Sequence, residues 1–192
     1  MIRIAVVGDI GSGKSHIAKQ FGFPVFNADL EVAKLYNKNK KCYNKLKKAL
    51  PNYITKFPID KKKLTEAIED NQKNIKKIIK IVHPEVRSAM KIFIKKNKKK
   101  KFIILDIPLI LENKINKKND ILIFVDAEKK EINKRLRKRF KNNKNIIKKF
   151  RKLQLPIEFK KKISDFSIKN NFNNNSTKKN VKKVLKEILF YA

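Results

Sequence analysis

An α/β fold of parallel strands and flanking helices is the class this chain predicts, and three observations carry it. A short run of Ile and Val, residues 2 to 7, ends at Gly8 and leads straight into a glycine-rich loop. Such a run reads as a strand buried on both faces, the habit of parallel sheets. A helical stretch and a second apolar run follow at once, and two further apolar runs, Phe102 to Leu105 and Ile121 to Val125, each end at an aspartate. Strand, loop, helix and strand in that order open an α/β fold.

Along the chain, a helix is expected from Lys14 to about Phe21, then a short strand over Phe23 to Phe26 that ends near Asn27, Ala28 and Asp29. From about Leu30 to Lys101 the periodicity is helical. It is clearest where Val86, Ala89, Met90, Phe93 and Ile94 follow i, i+3, i+4, i+7, i+8 behind Pro84. Glu128 to Lys162 holds 16 basic and 3 acidic residues, and such a segment is expected to pack poorly unless a ligand neutralises it. Phe166 to Ile168 suits a last strand. After the polar turn Asn170 to Thr177, in which Ser176 or Thr177 is the candidate N-cap, Val181, Val184, Leu185, Ile188 and Leu189 mark one helix face that closes the core.

At 192 residues the chain fits one compact domain. Its hydrophobic fraction of 41% with 13 Phe outweighs the 35% of charged residues and argues for a folded protein. A single cysteine, Cys42, excludes a disulfide framework within the chain and suits a reducing compartment, so a cytoplasmic location is expected. No stretch approaches the roughly 20 apolar residues of a membrane span. The net charge of +34 invites a nucleic-acid or anionic-membrane partner. Against that, 45 of the 51 basic residues are Lys, beside 21 Asn and many Ile, all with A/T-rich codons. That composition reads better as a nucleotide-biased genome coating every solvated face with lysine, and no specific nucleic acid or membrane partner is expected.

The chemistry begins at Gly8-Asp9-Ile10-Gly11-Ser12-Gly13-Lys14-Ser15, which fits G-x-x-x-x-G-K-[ST] between a strand and a helix. Glycines let successive backbone N–H groups turn inward around phosphate, Lys14 reaches the β- and γ-oxygens, and Ser15 offers its hydroxyl to Mg²⁺. The expected cofactors are therefore ATP and Mg²⁺. Phe102 to Asp106 resembles a Walker B strand, which carries a carboxylate to the sheet edge where Asp106 would share the metal; an aspartate ending a buried strand can equally be a turn or cap residue. His83 before Pro84 has a helix-start reading of its own, and Arg135 with Arg139, four apart on one helix face, suits either a phosphate clamp or a solvated basic face.

These residues, taken together, resemble the dephospho-coenzyme A kinases. The loop Gly8 to Ser15, Asn27-Ala28-Asp29, His83-Pro84 with Arg87, Leu105-Asp106-Ile107-Pro108-Leu109 through Glu112, Arg135 with Arg139, Gln154-Leu155-Pro156, and Asp165 ahead of Asn170 occur in that family's order and approximate spacing. The resemblance implies a P-loop NTPase fold with a parallel five-stranded sheet, a helical insertion that takes the acceptor, and a lid over ATP. In this chain those parts would be a core of residues 1–29, 102–127 and 163–192, an insertion over 30–101, and a lid over 128–162.

The same resemblance implies that ATP phosphorylates the ribose 3′-hydroxyl of dephospho-CoA, giving coenzyme A and ADP. ATP would be held by Gly8 to Ser15 with His16, Arg135, Arg139 and Asn170. The acceptor would meet Asp29, His83, Arg87, Asp106 and Pro108, with Asp29, Lys14 and Arg139 catalytic and Asp29 the candidate base. An N-cap for a helix from about Leu30 is the other reading of Asp29. Departures from the family pattern are Asp9 inside the loop, His16 where Thr is usual, Asn27 in place of the first Asp of Asp-Ala-Asp, and a lid stretch without the usual acidic run. A nucleoside-monophosphate kinase and a basic nucleic-acid-binding ATPase are the competing functions. A monomer is expected.

Overall fold

A computed structural model describes residues 1–140 and 143–191. Residues 141 and 142 of the expected lid, and residue 192, lie outside the described residues. Two compact units divide the chain: Met1–Asn27 together with the chain from Asn97 onward, and Ala28–Lys96 between them.

The first unit is built on five parallel strands: β1 (Ile2–Gly8), β2 (Val25–Asn27), β3 (Phe102–Asp106), β4 (Ile121–Ala127) and β5 (Phe166–Asn170). Their order across the sheet is β2-β3-β1-β4-β5. Strand β1 is central, with Ile2 opposite Phe102 on one side and Ile4 opposite Ile121 on the other. It is buried from Arg3 to Val7 because helices cover both faces of a parallel sheet, so no alternation of polar residues is needed. Five helices complete the unit among the described residues: α1 (Lys14–Gln20), α6 (Lys129–Arg139), α7 (Lys144–Lys152), α8 (Ile157–Lys162) and α9 (Asn174–Tyr191).

The core of this unit joins Ile4 and Val6 of β1, Ile17 of α1, Phe102, Ile104, Ile123, Val125 and Ile168 of the other strands, and Val181, Val184 and Ile188 of α9. Of the expected α9 face, Leu189 falls on the margin and is 41% exposed. The cap of α9 also differs from expectation. Asn173 Oδ1 accepts from the N–H groups of Asn175 and Ser176, because the helix starts one turn before Ser176 or Thr177 could cap it. At the start of β1, Arg3 makes a buried 2.7 Å ion pair with Asp120, just before β4. That pair ties the amino ends of the two strands, at the edge opposite the loop of Gly8 to Ser15.

The second unit consists of α2 (Ala28–Lys38), α3 (Lys40–Ala49), α4 (Lys61–Asp70) and α5 (Lys73–Lys96). Its own core gathers Tyr36, Cys42, Leu46, Leu50, Ile54, Ile59, Leu64, Ala67, Ile78 and Val82. Asn39 and Asp60 cap α3 and α4, accepting from the N–H groups of Cys42 and Lys62. Burial pushes the Cys42 thiol pKa up, so this cysteine sits as a small apolar residue. Helix α5 corrects the reading of His83-Pro84 as a helix start. It runs for 24 residues with Pro84 inside. Proline removes the N–H that would return to Lys80, and the buried contacts of Ile78 and Val82 carry the helix through the gap.

Candidate active site

Strand β1 delivers the chain to the carboxyl edge of the sheet at its middle, and the loop from Gly8 to Ser15 turns there into α1. Two glycines are demanded by this turn. Gly8 has φ 146°, and a Cβ there would stand 2.9 Å from the Val125 carbonyl of β4. Gly13 has φ 90° and packs directly on the Asn170 amide, so a side chain would collide with it. Among the described residues no side chain caps α1 at Gly13, the arrangement in which first-turn N–H groups face an anion.

Three side chains pin the loop from different elements. Asn170, buried at the end of β5, donates from Nδ2 to the Ser12 carbonyl at 2.8 Å. Its Oδ1 accepts from the Thr177 hydroxyl and from the Phe172 N–H. Gln154 Oε1 accepts from the Ile10 N–H at 3.2 Å. Lys14 folds back, and its Nζ donates to the Asp9 carbonyl at 2.8 Å and to the Gly8 carbonyl at 3.3 Å. The Lys14 pKa is lowered to about 8, by burial first and the Lys160 ammonium second, against the opposing pull of Asp106, Asp9 and Glu112.

Asp106 ends β3, the strand beside β1, and is 2% exposed. Its Oδ2 accepts from the Asn27 amide, which lies opposite in the β2–β3 register. This gives a physical reading of one departure from the family pattern, since an asparagine donates to Asp106 where a second carboxylate would repel it. Ser15 and His16 are exposed on the first turn of α1, and Pro108 is exposed just beyond β3.

The acidic Asp9 is matched by a basic neighbour. Its carboxylate lies 3.9 Å from Arg151 of α7, which also donates to Asn133 of α6 at 2.7 Å. Arg135 and Arg139 are both exposed on α6. The Arg135 guanidinium stands 4.4 Å over the Phe172 ring and that of Arg139 5.4 Å over Phe140.

The structure adds a pair that the sequence did not single out. Lys160 of α8 is 3% exposed and reaches Glu112 Oε1 at 2.7 Å. Burial raises the Glu112 pKa, but hydrogen bonds from Lys160 and Leu155 and the Lys160 charge outweigh it, leaving the carboxyl below its usual range. The basic segment from Glu128 to Lys162 thus meets a carboxylate of the chain itself at Lys160. Lys160 stands in a run of three lysines within a lysine-rich stretch, so composition could not separate it from solvated neighbours.

The remaining expected site residues belong to the second unit. Asp29 is exposed and is the second residue of α2, inside the first turn. The N-cap reading fails there because α2 begins at Ala28, two residues before Leu30. His83 and Arg87 are one turn apart on α5. Burial, then the Arg87 guanidinium, lowers the His83 pKa below its ordinary 6.5.

Among the described residues no helix is long and apolar enough to cross a membrane. A family model for dephospho-CoA kinase matches residues 2–177. A dephospho-CoA kinase of Wolbachia sp. subsp. Brugia malayi is 35% identical over 170 residues, covering 86% of this chain and 87% of that protein. One from Aquifex aeolicus is 31% identical over 193 residues, with 98% of each covered. Among solved structures, the dephospho-CoA kinase from Campylobacter jejuni superposes with a TM-score of 0.67 at 26% identity, spanning 97% of this chain and 96% of that one.

Proposed function

Since the chain belongs to the dephospho-CoA kinase family and transfers phosphate from ATP to dephospho-CoA, we propose a division of labour among its site residues. The loop from Gly8 to Ser15 holds the β- and γ-phosphates through backbone N–H groups. Lys14 leaves the carbonyls of Gly8 and Asp9 for the phosphate oxygens. The observation that carries this reading is that loop itself, braced by Asn170 and Gln154, with a buried aspartate closing the adjacent strand.

Mg²⁺ fits the donors present. It favours oxygen ligands and keeps waters, needing only one or two protein groups beside phosphate oxygens. Ser15 and Asp106 supply a hydroxyl and a carboxylate, and the cation would neutralise charge on the β- and γ-oxygens.

In the transfer, the ribose 3′-oxygen forms a bond to the γ-phosphorus as the bond to the β–γ bridging oxygen breaks, releasing ADP. Asp29 takes the hydroxyl proton. His83 and Arg87 are the acceptor-binding residues of the helical unit, and Asp106 and Pro108 are those of the strand-bearing unit. Arg135 and Arg139 leave their aromatic rings to clamp the transferring group, and His16 contributes to ATP binding from the first turn of α1. Positioning and charge neutralisation then account for the catalysis, since phosphoryl transfer asks little covalent work of the protein.

The test is to incubate the protein with ATP, Mg²⁺ and separate acceptors and to weigh the products. A single added phosphate on dephospho-CoA supports the reading. Turnover confined to nucleoside monophosphates, or ATP hydrolysis that depends on nucleic acid, overturns it.

A further inference from the structure

We propose that Lys160 is a positioning residue for phosphoryl transfer: with Glu112 it forms a buried latch that sets the shape of the phosphate-binding loop from outside it. This rests on the reading of Gly8 to Ser15 as the phosphate site. The chain of contacts has three links. The Lys160 ammonium holds Glu112 Oε1 at 2.7 Å, and that same oxygen accepts the Leu155 N–H at 3.0 Å. Gln154, the residue before Leu155, accepts the Ile10 N–H of the loop. Fixing Leu155 therefore fixes the amide that fixes Ile10.

Each end of the latch is itself held. The Lys160 N–H donates to the Pro156 carbonyl at 3.1 Å, and the Lys160 carbonyl accepts from the Ser164 hydroxyl at 2.7 Å, so the main chain of α8 cannot drift while the side chain stays. Glu112 lies just beyond β3, whose last residue is Asp106, so the latch links the segment bearing the metal-side carboxylate to the segment bearing Gln154. A lysine 3% exposed is a costly group to keep, and a carboxylate alone does not require one. The Ile10 N–H is occupied by Gln154. The loop is thus braced by the chain at two points, Ile10 by Gln154 and Ser12 by Asn170, and the latch acts on the first of them.

Breaking the latch leaves Glu112 without its cation, so the carboxylate turns to water and releases Leu155. Gln154 then no longer holds Ile10 in register, and the loop must be ordered by ATP itself. The penalty falls on ATP binding and on transfer, while capture of the acceptor is untouched.

Steady-state kinetics with Mg·ATP and dephospho-CoA test this in Lys160→Met, Lys160→Arg and Glu112→Gln, beside wild type and Lys14→Ala. The expected result is that Lys160→Met and Glu112→Gln each lower kcat/KM for ATP by about 10- to 100-fold with KM for dephospho-CoA unchanged. Lys160→Arg restores most of it, and the Lys160→Met, Glu112→Gln double variant is no worse than either single change. Wild-type kinetics in a folded Lys160→Met protein would overturn the latch. So would a Glu112→Gln protein with normal ATP kinetics, since the charge pairing of the latch would then have no effect on the loop; this arm stands even where Lys160→Met fails to fold. Loss of wild-type turnover, or an active Lys14→Ala, would instead strike the phosphate-site reading, so the two failures are distinguishable.

Discussion

Asn170 Nδ2 donates to the Ser12 carbonyl at 2.8 Å, joining the end of the last strand to the loop that follows the first. Asn170→Asp keeps the acceptor used by Thr177 and Phe172 but sets an oxygen against the Ser12 carbonyl. A buried carbonyl left unsatisfied costs about 1–3 kcal/mol, which corresponds to roughly 2–4 °C in Tm per kcal/mol for a chain of this size. The expected outcome is a lowered Tm together with a raised KM for ATP, measured by thermal melts and initial rates. A melt unchanged from wild type would show that the bond contributes nothing.

Lys14→Ala separates catalysis from folding. Burial lowers the Lys14 pKa to about 8, so the folded state holds this charge at a disadvantage relative to the unfolded chain. Removing it is expected to leave the Tm within about 4 °C of wild type or above it, while turnover is lost. An active, well-folded variant would refute the role of Lys14.

Asp29→Asn distinguishes a base from a structural carboxylate. Asp29 is exposed in the first turn of α2, where an asparagine is accommodated without repacking. Loss of a general base lowers kcat by about 10²–10⁴-fold. That drop with an unchanged Tm is the expected outcome, read under conditions where chemistry limits the rate.

His83 gives a pH test whose sign follows from its lowered pKa. The unfolded chain takes up the proton before the folded one as pH falls below the ordinary value of 6.5, so this residue withdraws stability on acidification. His83→Asn cannot do so. The Tm difference between wild type and His83→Asn is therefore expected to shift against wild type as pH drops from about 8 to about 5.5, and a constant difference would exclude the effect.

How much of this was legible depends on whether the signal was local. The loop from Gly8 to Ser15 was, because glycine spacing and a flanking strand are written within a dozen residues. Asp106 was, as the end of an apolar run. The Lys160–Glu112 pair was not, since it joins residues 48 positions apart and only burial marks that lysine among its neighbours. Pro84 misled because proline favours a helix start, yet packing by Ile78 and Val82 overrode the local rule. The α9 cap was misplaced within a run of Asn residues, any of which is chemically able to cap.

The parallel pairing of β1 also bears on how the chain is made. Its two neighbours begin at Phe102 and Ile121, so β1, synthesised ahead of both, has no partner until Phe102 and the residues after it have appeared. The helices of Ala28–Lys96 have their own core and emerge in between. On a ribosome they would be ordered first, while Ile4 to Val7 waits as an unpaired apolar segment. The catalytic loop attached to that strand takes shape only when β3 and β4 arrive, so a truncated chain ending before Phe102 would carry every residue of the phosphate motif and no paired strand to hold it.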